Sequence, residues 1–75
     1  MNIKQVQKIF FSSLNLKKKI NFNRLKYGDQ NWDSIAHMGL IAHLEKKFKI
    51  AIDSENVIDM SSYSKALTIL KKYLK

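Results

Sequence analysis

No proline interrupts this chain, it holds only two glycines, and it shows no period-two alternation of apolar residues of any length. A backbone that keeps every amide donor and rarely meets a flexible joint can close long helical ladders, whereas a half-buried strand would need an apolar side chain at every second position. These features predict an all-α fold. With 75 residues the chain makes one small domain over residues 1–75, and a domain of that size buries only about 60% of the surface its unfolded form exposes. There is no cysteine for a disulfide or a thiolate metal site, so packing alone has to hold the core. No apolar run approaches the roughly 18 residues of a membrane span, and the amino terminus lacks the apolar segment of a signal peptide. The expectation is a cytoplasmic monomer with no membrane partner.

Apolar spacing divides the chain into four helices and one long loop. Ile3, Val6, Ile9, Phe10 and Leu14 share a face, with Asn2 as N-cap and Gln5 three residues on, which predicts a first helix ending near Ser13. The pattern then dissolves from Leu14 to Asp33, where Ile20, Phe22, Leu25 and Tyr27 are the available anchors; a loop of that length in a small domain is functional or pinned by side chains. The second helix is predicted from Ser34 to about Lys47. At about 100° per residue, His37, Leu40, Ile41, Leu44 and Phe48 form its core arc. Ser34, Ile35, Met38 and Ala42 lie on a neighbouring arc, with Gly39, Glu45 and Lys46 at its margins. On periodicity alone the two arcs read as one wide apolar stripe of a buried helix; an exposed second arc would instead make a docking face. Asp53 and Ser54 can cap a short third helix through Ile58. Ser61 or Ser62 can cap a fourth, whose stripe is Tyr63, Ala66, Leu67, Leu70, Tyr73 and Leu74, with Lys71, Lys72 and Lys75 suited to its negative carboxyl end.

The formal net charge of +8 raises the question of nucleic acid, since neutralised phosphates release counterions and add affinity. Thirteen of the 14 basic residues are lysine and only Arg24 is arginine, whereas base and phosphate recognition favours the bidentate guanidinium. The lysines at 17–19, 46, 47, 49, 71, 72 and 75 are also dispersed. No specific nucleic-acid partner is expected. His37 and His43 are six residues apart, about 240° around a helix, and cannot share a metal as an i, i+4 pair would. Ser34 and His37 could meet on one helix, but a hydrolase also needs an oxyanion hole and an oriented histidine, so no catalytic set is assigned. No glycine-rich phosphate loop is present.

Chemistry concentrates at Ser34. With Asp33 as cap, Ser34 becomes the first helical residue and its hydroxyl projects at the positive end of the helix dipole, where an attached phosphodiester is stabilised. A serine there is otherwise simply part of a cap. The stretch Trp32, Asp33, Ser34, Ile35 resembles the acyl carrier protein family, whose Asp-Ser-Leu triplet opens the second helix of a four-helix bundle with a long loop between helices one and two. The resemblance runs from residue 32 to about 70. Leu40, Leu44 and Phe48 fall at the family's core positions, Glu45 at its Leu-Glu pair, Ile50 and Ile52 in its hydrophobic loop, and Ser62 with Tyr63 at the start of its last helix. The opening followed by His37 is similar to free-standing carriers of specialised pathways.

What that resemblance implies is a 4'-phosphopantetheine arm, transferred from coenzyme A to Ser34 by a phosphopantetheinyl transferase with Mg²⁺ and holding acyl or aminoacyl cargo as a thioester for loading and accepting enzymes. The chain itself would not be an enzyme. Asp33 would cap the motif, and Ile35, Met38, Ala42, Glu45 and Lys46 would meet partners. Two departures stand out. Asn31 replaces the family's glycine, and Ala36, Gly39, Lys46 and Lys47 replace acidic positions of its second helix, which predicts a cognate enzyme with a neutral or acidic rim. The alternative class is a basic helical module binding nucleic acid or an acidic protein without modification.

Overall fold

A computed structural model describes residues 2–17, 19–29 and 31–74. Lys18 and Lys75, two of the lysines noted above, lie outside the described residues. The described residues form a small all-α bundle of four helices: α1 (Ile3–Ser13), α2 (Ser34–Phe48), α3 (Ser54–Asp59) and α4 (Tyr63–Tyr73), with one 3₁₀ turn at Phe22–Arg24 in the long connection.

Local chemistry accounts for the ends of these helices. The Asn2 side chain accepts from the Gln5 amide at 3.3 Å, Asp33 from Ala36 at 2.8 Å and Ser62 from Lys65 at 3.1 Å, so α1, α2 and α4 each begin on a side-chain cap. Each such cap stabilises by about 1 kcal/mol. Asp53 precedes α3 without a side-chain cap bond. Instead its amide donates to the Tyr73 hydroxyl at 3.1 Å, and that oxygen also accepts from Asn56 Nδ2 at 2.7 Å, which ties the start of α3 to the end of α4. α1 stops at Asn15, held at φ 50°. The Leu16 amide reaches back to the Phe11 carbonyl and the Asn15 amide to that of Ser12, a left-handed termination that asparagine tolerates better than most residues.

The core is built around Phe10. Its ring lies edge-on to Trp32 at 5.6 Å and to Tyr63 at 5.2 Å, so α1, the long loop and α4 meet on one side chain. Val6, Leu40, Leu44, Met60, Ala66 and Leu70 are fully buried around it. Each large apolar side chain withdrawn from water in this way contributes about 1.5–3 kcal/mol against the entropy of ordering. The loop is pinned as its length required. Leu16, Leu25 and Trp32 enter the core, while the Tyr27 amide donates to Ser61 and the Tyr63 amide to Leu25, an isolated antiparallel bridge that fastens the loop to the entry of α4.

Two sequence expectations change. α2 buries His37, Leu40, Ile41 and Leu44 but leaves Ile35 and Met38 82% and 62% exposed, so its apolar surface is not one wide buried stripe. In α4, Ile69 is buried and Leu67 only partly so. The bundle closes on that helix from a direction slightly different from the one the stripe predicted.

Candidate functional site

Residues 26–29 and 31–33 make the turn that delivers Ser34. The Asp29 amide bonds to the Lys26 carbonyl, Trp32 to Asp29 and Gly28 to Trp32. Gly28 sits at φ 96°, a conformation that side chains resist. The Asp29 carboxylate accepts from the Lys26 amide at 3.2 Å, closing the turn on itself. Asp33 then leaves in extended geometry, caps Ala36, and accepts the His37 amide on its carbonyl at 2.8 Å. Ser34 is the first residue of α2 and is exposed, as the cap arithmetic predicts.

Behind it, His37 is held on both ring nitrogens. The buried Trp32 Nε1–H donates to His37 Nδ1 at 2.9 Å, which leaves the proton on Nε2, and Nε2 donates to the Val57 carbonyl at 2.8 Å. The donor character of the indole assigns this tautomer. His37 therefore joins the turn, α2 and α3, and neither ring nitrogen is free to activate Ser34. His43, the other histidine, pairs through Nδ1 with Ser13 Oγ at 3.0 Å at the α1–α2 contact. Among the described residues no cluster of metal-ligating side chains forms.

Fixing Val57 places α3 beside the start of α2. Between them lies a groove of about 380 Å³ lined by Ser34, Tyr27, Met38, Val57, Ile58 and Met60, with His37 in its wall. Ile58 is 76% exposed on the far side, so Ile35, Met38 and Ile58 surround the serine with apolar surface open to solvent. Ala42, further along α2, is exposed as well. Glu45 is placed differently. It is half-buried, and its Oε2 accepts from the Ile52 amide at 2.8 Å, so this carboxylate braces the loop after α2 rather than standing free for a partner. Lys46 is exposed, but it follows Ser34 by twelve residues, about 18 Å along the helix axis.

The charge is divided in a way that the total conceals. No lysine or arginine occurs from Tyr27 to Glu45 or from Ile50 to Ser64, and all six carboxylates fall in those two stretches. Every residue named in the groove comes from them too. Of the carboxylates only Asp33 adjoins the serine; Asp29 lines a hollow with Arg24 and Asp59 one with Lys65, and the basic residues belong to α1, the first part of the long loop, the end of α2 and α4. This signal was present in the linear sequence as two gaps in the lysine distribution. The roles of Trp32, Tyr27, Val57 and Ile58 were not, since each depends on a contact across elements.

Comparison of the chain with protein-family models, with curated proteins and with solved structures found no match.

Proposed function

We propose that the protein is an acyl carrier whose Ser34 bears a 4'-phosphopantetheine arm. The observation that carries the reading is the placement of an exposed serine hydroxyl as the first residue of a helix capped by Asp33, bordered by exposed Ile35, Met38 and Ile58 and an apolar groove. The residues suit the group: a primary hydroxyl accessible to a transferase, helix amides that favour a phosphodiester, and apolar walls for the arm and its cargo. Bound there, the arm supplies a thiol that holds acyl or aminoacyl cargo as a thioester. The chain's own residues present it. The Trp32–His37–Val57 hydrogen bonds keep the turn and α3 in register, and Met38 and Ala42 extend the apolar face along α2.

The charge of α2 bears on the choice of partner. Lys46 and Lys47 are exposed toward the end of α2, so the cognate loading enzyme presents a neutral or acidic rim to that helix and contacts Met38 and Ala42 at its apolar centre. Complementary charge sets encounter rate and rejects wrong partners. The alternative of an unmodified basic module keeps the basic residues as its argument but leaves the exposed apolar surround of Ser34 without a role.

The test is incubation with coenzyme A, Mg²⁺ and several broad-specificity phosphopantetheinyl transferases. One arm is expected on the wild type and none on Ser34→Ala, a change that costs at most about 1 kcal/mol because Ser34 is exposed and Asp33 still caps. Modification of the alanine variant, or none of the wild type with any transferase, contradicts the reading.

A further inference from the structure

The first 28 residues contain seven basic residues and no carboxylate, a formal charge of +7 in little more than a third of the chain. That charge is not bare. On α1, Lys4, Gln7, Lys8 and Phe11 fall within about 100° of one another, and with Phe22 from the 3₁₀ turn they line a hollow of about 320 Å³. Phe11 is 37% exposed and Ile3, at the edge of the same face, 46%. Lys17, Lys19 and Arg24 are exposed in the connection that follows. The face thus carries Phe11 near its middle, Ile3 at one edge and Lys4 and Lys8 toward the other.

We infer that this α1 face docks on an anionic phospholipid surface. Exposed apolar side chains among lysines match a bilayer interface, where rings enter the headgroup layer and lysine ammonium groups meet lipid phosphates and carboxylates. Exposed Phe11 and Ile3 add apolar area beside the lysines that a bilayer interface would cover. Nucleic acid is the weaker fit, since the seven cations include one arginine and the face offers apolar bulk rather than a groove for a phosphate backbone. No helix among the described residues is long and apolar enough to cross a membrane, so the contact is peripheral. The surface uses residues other than those around Ser34, and it stands whether or not that serine is modified.

Flotation of the full chain with phosphatidylcholine vesicles, with and without phosphatidylserine, tests this. Binding is expected only with phosphatidylserine and should fall as salt is raised. Each lysine at such a surface is worth about fivefold in affinity, so Lys4→Gln with Lys8→Gln should weaken binding about 25-fold. Phe11→Ser should cost about fivefold more at unchanged charge. Lys71→Gln with Lys72→Gln on α4 lowers net charge equally and should have a much smaller effect. All five positions are exposed, and circular dichroism verifies that each variant is folded. Equal losses from the α1 and α4 pairs, no effect of Phe11→Ser, or tighter binding to single-stranded RNA than to the vesicles at the same salt would overturn the inference.

Discussion

His37→Phe probes the bond network that positions α3 against the start of α2. Phenylalanine keeps an aromatic ring of similar size but strands two polar groups, the buried Trp32 Nε1–H and the Val57 carbonyl. Leaving a buried donor unpaired costs about 1–3 kcal/mol, and the half-buried Val57 oxygen, which recovers water in part, adds about 0.5–1 kcal/mol. The expected loss is about 1.5–4 kcal/mol. A domain of this size has about 4–11 kcal/mol in total, so the midpoint of thermal unfolding should drop by about 10–25 °C. Trp32→Phe, which removes the donor instead, should also destabilise. With both changes made, neither partner is stranded against the other, and the double variant should cost about 0.5–3 kcal/mol less than the two single losses together. Urea unfolding followed by far-ultraviolet circular dichroism gives all four corners of the cycle. A loss below about 1 kcal/mol for His37→Phe, or additivity within about 0.5 kcal/mol, would refute the claim that these rings are coupled by a buried hydrogen bond.

The remaining predictions concern single groups. Among the described residues the buried Tyr63 hydroxyl finds no hydrogen-bond partner, so Tyr63→Phe should leave stability unchanged or raise it by about 1 kcal/mol in urea titration. A methyl group built on Gly39 meets no atom within 4 Å. Gly39→Ala should therefore stabilise α2 by about 0.8–1 kcal/mol, read as a higher melting temperature. Glu45→Ala removes the acceptor of the Ile52 amide and should cost about 1–2 kcal/mol, with faster amide exchange at Ile52 as its local signature.

Helix starts were legible in the sequence because they are local events. Asn2, Asp33 and Ser62 cap within three residues of themselves, and the spacing Val6, Ile9, Phe10 shows a core face without knowledge of what covers it. Contacts across elements left no such trace. Trp32 reads as one letter of a motif, yet its burial and its bond to His37 depend on the loop crossing Phe10 and on α3 presenting the Val57 carbonyl. Ile35 and Met38 show the complementary difficulty. Hydrophobicity placed them on a continuous apolar stripe, and only the packing, which covers Leu40 and Leu44 and stops short of them, reveals an exposed face. The division of charge was readable throughout, but a net value sums over the gaps where the carboxylates sit.

The central claim is that Ser34 carries the arm, and intact mass spectrometry of the protein purified from its source, followed by mapping of the modified peptide, tests it most directly. One phosphopantetheine adduct, with or without thioester-linked cargo, is predicted on the peptide containing Asp33 and Ser34. An unmodified chain, or an adduct confined to any other serine, would contradict it.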